Sequence, residues 1–337
     1  MTDVTTAGAV GGRAAELELD EYRGQLTGYC YRMLGSAFDA EDAVQETMVR
    51  AWRGLERFEG RAALRSWLYR IATNVCLDML SSRQRRARPM DLTSAPWEPV
   101  ESSLAGRRPE NTWLEPMVDS KVLPTAGDPA DVAVARDSIR LAFVAALQHL
   151  PPRQRAVLIL RDVLRWKADE VADLLDSSVA SVNSALQRAR ASLGSREEAA
   201  SGPTDPLDDE HRELLARYVD AFERYDMEAL VTLLHEDATQ NMPPYEMWLQ
   251  GRDHVLGWMV GPGHGCRGSR VIPMEVNGSP SFAQYRPSGP GGRHEPWGIH
   301  VLDVSDGRVA GVTTFLDTRL FALFGLSEHP DGDHLHG

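Results

Sequence analysis

A chain of 337 residues with 42% hydrophobic and 25% charged residues has the composition of folded globular material, enough for two or three domains. No apolar run approaches the ~20 residues of a membrane span, and the opening MTDVTTAGAVGGRAAELELD has no basic segment followed by an apolar one, so a cytoplasmic protein without membrane attachment is expected. Three cysteines, Cys30, Cys76 and Cys266, make no disulfide framework, and a net charge of -13 argues against an autonomous nucleic-acid binder.

The charge is uneven along the chain. Residues 201–337 hold 10 Lys/Arg against 21 Asp/Glu, and residues 89–136 hold 4 against 8, whereas 1–88 and 137–200 each carry a net +1.

Residues 1–18, rich in Gly, Ala and Thr, are expected to be disordered. A first helix begins near Asp20 and sends Tyr22, Leu26, Tyr29, Cys30, Met33 and Leu34 into a core, with a cap and fresh start at Gly35 to Phe38. In the second helix Asp39 serves as cap, and Val44, Met48, Ala51, Trp52 and Leu55 recur as a buried stripe, leaving Glu41, Asp42, Gln45 and Glu46 outside. After a break at Phe58 to Arg61, a third helix buries Leu64, Leu68, Ile71, Ala72 and Val75 and leaves Arg65, Trp67, Tyr69, Arg70, Asn74 and Asp78 to flanks and outer face. The basic tail SSRQRRAR, with Arg83, Arg85, Arg86 and Arg88, complements the helix dipole and can touch phosphate; a solvated helix end is the plainer alternative.

The run DAEDAVQETMVRAW followed by RSWLYRIATNVCLD resembles region 2 of the sigma-70 family, specifically the extracytoplasmic-function (ECF) sigma factors. The resemblance implies that Asp39, Glu41, Asp42, Gln45 and Glu46 meet core RNA polymerase. It implies equally that Arg65, Trp67, Arg70 and Asn74 act on the minus-ten promoter DNA, with Arg83 and Arg86 near phosphate.

From Pro89 to about residue 130 seven prolines interrupt the chain and exclude continuous helix, so an acidic, extended linker is expected over 89–130 after a first domain at 19–88. Trp97, Trp113, Leu114 and Met117 are unusual in an idle linker. Either they pin it to a domain or they contact a partner; pinning is preferred. The segment WLEP, Trp113 to Pro116, also resembles a stretch of sigma factors that carry C-terminal extensions.

A second helical module spans 131–194. Its first helix presents Val134, Ile139, Leu141, Val144 and Leu147, and a second runs from Pro152 through Leu160. A short helix at Ala168–Leu175, a turn at Asp176 and Ser177, and a longer helix at Ser178–Leu193 read as a helix-turn-helix. Val182, Leu186, Ala189 and Leu193 face inward, so Ser181, Ser184 and Arg188 share an outward row. The segment resembles sigma region 4, which implies minus-thirty-five DNA contacts, with Ser178, Ser181, Ser184 and Arg188 as the candidates here and the basic Lys167 able to add a phosphate contact. Arg165, Lys167 and Asp176 depart from the family, which often has glycine and serine at the first two positions and glycine at the third.

A hinge at 195–206 precedes a third domain at 207–328 and a flexible tail at 329–337. Leu207 to His235 is expected as helix; RVIPMEV, SFAQYRP, IHVLDV and VAGVTTFLD read as strands, with hairpin turns at Asn277-Gly278 and Asp306-Gly307. Helices followed by an antiparallel meander make an α+β domain. YVDAFERYDMEALVTLLHEDATQNMPP, WLQGRDHV, FAQYRP and FLDTRLFALFGL resemble the SnoaL-like branch of the NTF2-like fold, which implies a cone-shaped barrel. The superfamily includes polyketide cyclases and isomerases, so a candidate ligand pocket is drawn from His235, Asp237, Asn241, Trp248, Tyr285, His300 and Asp317, with Asp237 equally a turn residue and Trp248 and Trp297 more often core.

The fold class expected is therefore two all-α domains followed by an α+β NTF2-like domain, in a sigma factor that initiates transcription at specific promoters. The C-terminal domain is read as a regulator acting by autoinhibition or small-ligand sensing, and not as an enzyme, with a fused cyclase or isomerase and an ordinary helix-turn-helix repressor as rivals. No metal site or cofactor is expected, since the histidines show no three-ligand spacing. The further partners would be a small apolar ligand or an anti-sigma protein.

Overall fold

Helix α1 (Arg23–Leu34) stops at Gly35, whose left-handed backbone (φ 69°) returns its N–H to the Tyr31 carbonyl at 2.8 Å. Helix α2 (Ala37–Gly54) starts three residues earlier than expected because Ser36, and not Asp39, is its cap: the Ser36 hydroxyl accepts the Asp39 N–H at 3.1 Å. Helix α3 (Leu64–Ser81) completes the first bundle, with Tyr29 packed edge-on against Tyr69 at 5.2 Å and its hydroxyl bonded to Thr73 at 2.7 Å. The computed structural model describes residues 19–55, 58, 63–81, 84–93, 95–124, 128–197 and 209–330. Arg83, residues 1–18, most of the expected hinge and the last seven residues lie outside these. The chain divides into two units, Met1–Arg85 with Ser120–Arg196, and Arg86–Asp119 with Glu197–Gly337.

In the first unit the second set of helices is α4 (Pro129–Asp137), α5 (Leu141–Gln148), α6 (Pro152–Leu158), α7 (Ala168–Leu174) and α8 (Val179–Glu197). The single helix expected around Val134 to Leu147 is thus two. Two buried arginines tie these helices to the first bundle. Arg32 on α1 donates to the Ser138 hydroxyl at 2.6 and 3.0 Å, and Arg155 on α6 reaches the Met33 and Leu150 carbonyls and Gln148. Burial pulls both guanidinium pKa values down to about 10, yet both stay charged at neutral pH, so a broken partner would leave a buried cation uncompensated.

The second unit holds α9 (Asp209–Arg224) and α10 (Met227–Leu233), parted by Tyr225 at φ 57°, where one continuous helix was expected. Six strands follow: β1 (Leu234–Asn241), β2 (Trp248–Gln250), β3 (Arg270–Val276), β4 (Ser279–Arg286), β5 (Glu295–Ser305) and β6 (Arg308–Phe315). Helix α11 (Arg252–Val260) lies between β2 and β3, and α12 (Arg319–Leu323) follows β6. The sheet order is β2-β1-β6-β5-β4-β3. The last four strands form the expected meander, but β1 pairs with β6 in parallel, which a run of hairpins could not produce. Both dipeptide turns have positive φ at each residue, 56° and 65° at Asn277-Gly278 and 51° and 68° at Asp306-Gly307, as two-residue hairpins of this hand require.

The proline-rich segment is built into this second unit. Ala87 bridges Trp113, Arg107 bridges Tyr245, and Val118 bridges Val276. Met117 exchanges bonds with Asn277, giving its N–H to the side-chain oxygen and receiving the Asn277 N–H on its carbonyl, both at 2.9 Å. Trp97 donates its N–H to the Trp248 carbonyl at 2.8 Å, while the Trp248 indole donates to the Thr93 hydroxyl at 2.9 Å. Trp113, Leu114 and Met117 are buried, so the pinning expected of these residues is what the structure shows.

Candidate functional sites

Helix α2 presents an outward stripe that combines charge with apolar surface. Asp42, Gln45 and Glu46 are exposed, and the same face continues through Val49 (36% exposed) and Trp52 (60% exposed) at helical spacing. Trp52 was expected in the buried stripe; it points out instead, because Ala40, Ala43, Val44, Thr47 and Ala51 fill the inner face. The stripe thus joins an exposed tryptophan and valine to exposed carboxylates on one face. Two expected members differ. Asp39 is buried in the first turn, and Glu41 is half-buried and paired with Lys121 at 2.7 Å.

On α3, Trp67, Arg70 and Asn74 lie on one face at spacings of three and four. Trp67 stacks against Phe58 with ring centres 4.9 Å apart, and its closeness to Gly54 explains that glycine, since a Cβ there would stand 2.9 Å from the indole. Arg65 extends its guanidinium over the Trp166 ring at 4.8 Å and the Tyr69 ring at 5.6 Å, and Tyr69 and Trp166 pack with ring centres 5.0 Å apart. Arg70 donates to the Asp173 carbonyl on α7 at 2.6 Å. Two of the four residues expected on minus-ten DNA are thus engaged by the helix-turn-helix side of the same unit, while Asn74 is exposed. Arg86 is a correction: it is 8% exposed, its guanidinium 3.4 Å from Glu115 and bonded to the Trp113 carbonyl at 2.6 Å, which leaves it no phosphate contact in this conformation.

The helix-turn-helix is formed as expected by α7, the turn at Asp176 and Ser177, and α8. Ser178 accepts the Ser181 N–H at 3.2 Å and so begins α8. Ser181, Ser184 and Arg188 form an exposed row, with the Arg188 guanidinium resting on the Ser184 hydroxyl at 2.7 Å. Lys167 is exposed at the start of α7. Arg190 fixes α8 to Asp162 with two bonds at 2.6 and 2.8 Å. Arg165 and Asp176, where glycine is common in the resembling family, both have left-handed backbone, φ 58° and 47°. The glycine preference thus has a local cause, which this chain meets with an arginine and an aspartate.

The seven residues expected around a pocket in the third domain do not converge. His300 sits opposite Phe282 on β4 and Thr314 on β6, so these three share one sheet face; Asn241 sits opposite Thr313, hence on the other face. His300 is stacked on Phe282 at 4.4 Å and edge-on to Phe222 of α9, with its ring nitrogens on Gln284 at 2.7 Å and Thr314 at 3.0 Å. Burial lowers its pKa to about 3, so it is neutral at physiological pH. Tyr285 is buried and donates to the Ser327 carbonyl at 2.9 Å, Trp248 is committed to Thr93, and Asp237 is exposed beside a half-buried His235. Asp317 pairs with Arg319 at 2.6 Å. Tyr218, Phe222, Phe282, Leu302 and Val312 pack together inside the cone. Among the described residues no group of three or more His, Cys, Asp or Glu could hold a metal ion, and no helix is long and apolar enough to cross a membrane.

Comparison with known proteins assigns the three parts. A Sigma-70 region 2 family matches residues 19–86, Sigma-70 region 4 matches 140–193, and a SnoaL-like domain matches 215–312. The chain is 47% identical over 312 residues to the ECF RNA polymerase sigma factor SigG of Mycobacterium tuberculosis, covering 92% of this chain and 83% of that protein. To SigJ of the same species it is 28% identical over 307 residues, 88% and 89% of the two chains. The crystal structure of M. tuberculosis SigJ has the same fold, with a TM-score of 0.57 at 24% identity over 91% of this chain and 98% of that one.

Proposed function

The chain belongs to the ECF RNA polymerase sigma factors, and from that membership we propose how its own residues direct polymerase to specific promoters. The observation that carries the proposal is that one helical unit presents two separate exposed rows: Asp42, Gln45, Glu46, Val49 and Trp52 on α2, and Ser181, Ser184 and Arg188 on α8. The first suits a protein partner, core polymerase; the second suits the edges and phosphates of promoter DNA in the major groove. Arg65, Trp67, Arg70 and Asn74 act on the minus-ten element. For Arg65 and Arg70 to reach it, their contacts with Trp166 and Asp173 must open. Acting with polymerase in this way, the protein would work in the cytoplasm.

The C-terminal domain acts as a regulator and not as a catalyst. Acid-base catalysis needs a titratable group poised near neutral pH and aimed at substrate; His300 is neutral and has both nitrogens bonded within a packed core. The domain instead holds the segment that joins regions 2 and 4 in sequence, through the two backbone bridges Arg107–Tyr245 and Val118–Val276 and the buried Trp113, Leu114 and Met117. Regulation therefore runs through the linker: while it is clasped, regions 2 and 4 cannot take the separation a promoter demands. Run-off transcription with core polymerase, comparing the intact chain with Leu114→Ala, tests this. A rise in transcript from the variant supports the clasp, and an unchanged yield at equal polymerase occupancy removes it.

A further inference from the structure

A cleft of about 420 Å³ lies within the second unit where the linker meets the open end of the sheet. Trp113 and Leu114 of the linker form one wall; Tyr245, Trp297 and Phe315 of the C-terminal domain form the others. It shares Asp317 and Trp297 with the residues weighed for a pocket from sequence, and it lies outside the packed interior that holds His300. Its size and its aromatic walls are those of a small-molecule site. The Trp113 ring, 2% exposed, has an indole N–H with no hydrogen-bond partner among the described residues. A buried donor left unpaired is unfavourable, and an acceptor brought in by a ligand would satisfy it.

We propose that this cleft binds a neutral, flat aromatic molecule whose oxygen or nitrogen acceptor takes the Trp113 indole N–H. Planarity follows from the aromatic walls, which favour stacked and edge-on ring contacts. Neutrality follows from the charges. Of the acidic residues lining the cleft, Glu110 and Asp317 are paired with Arg319 and Glu115 with Arg86, which leaves Glu295 and Arg107 with opposite signs, so the lining has no net charge to recruit an ion. Because one wall is linker and the others are domain, a bound molecule holds the two together. That consequence rests on the regulatory role of the clasp; the binding itself does not.

A neutral dialkylaminocoumarin, flat and with a lactone carbonyl as acceptor, is a suitable probe. Titrated into the full-length protein without polymerase, it should brighten saturably with one site per chain. Trp113→Phe, which keeps a ring and loses the N–H, should weaken binding about tenfold. Thr318→Trp, at an exposed position of the rim, should abolish binding while leaving the melting temperature unchanged, and Val260→Ala on α11 should have no effect. Absence of saturable binding, or binding that ignores both cleft variants, overturns the site. The same probe in run-off transcription separates the two ideas: binding with unaltered transcription leaves the site standing and removes its regulatory consequence.

Discussion

Trp52 shows how far one side chain can escape a periodicity. Its spacing from Val44 and Met48 puts it in the buried stripe, yet small residues fill the inner face of α2 and the indole is 60% exposed. Sequence periodicity cannot see that an alanine-lined face already closes the core. If the α2 stripe meets polymerase as proposed, Trp52→Ala, which removes its largest apolar side chain, should weaken core binding by about 1–3 kcal/mol, read by fluorescence anisotropy, with folding stability changed by less than ~0.5 kcal/mol. Arg70→Ala or Arg65→Ala should slow promoter opening, followed by permanganate footprinting, more than it weakens polymerase binding. The reverse outcome would overturn the assignment of that face to DNA. His300 makes an acid prediction. Its folded pKa of about 3 lies below the ordinary value of 6.5, so the unfolded chain binds the extra proton first. The stability it contributes is present above about pH 6.5 and is lost as pH falls toward 3, by up to ~1.4 kcal/mol per unit. His300→Gln should flatten that part of the stability profile, measured by denaturant titration across pH.

At the scale of elements, the local signals in the sequence were reliable where a single turn or cap decided the outcome. Gly35, the two dipeptide hairpins and the turn at Asp176 all sit where backbone chemistry puts them, and β3 occupies the whole of RVIPMEV. Proline density misled in one respect: it excludes helix but not bridge pairing, so a segment read as an extended linker is bonded at Arg107, Trp113 and Val118. The parallel β1–β6 pair and the opposite faces of His300 and Asn241 were invisible because they depend on register between strands distant in sequence. For that reason the expected pocket dissolved while the helix-turn-helix survived. Leu114→Ala should cost about 2–5 kcal/mol in the second unit's unfolding transition and expose residues 86–119 to hydrogen exchange, since Leu114 is 2% exposed. On α8, Arg188→Ala should relax sequence preference at one upstream base pair by about 1–3 kcal/mol, without weakening polymerase binding.

At the scale of the whole molecule, a net charge of -13 sits with promoter binding only if polymerase supplies most of the affinity. The first unit agrees with that division, since Arg65 and Arg70 are occupied by Trp166 and Asp173 in the absence of polymerase. Buried Arg32 and Arg155 make the packing of the two helical modules specific, so opening needs a partner that offers compensating contacts. The most direct measurement is run-off transcription from genomic promoters with core polymerase, paired with DNA binding by the isolated protein. Discrete transcripts that require both core polymerase and this chain, alongside weak promoter binding by the chain alone, are the expected result. Tight promoter-specific binding by the isolated chain, with no transcript when core polymerase is added, would contradict it.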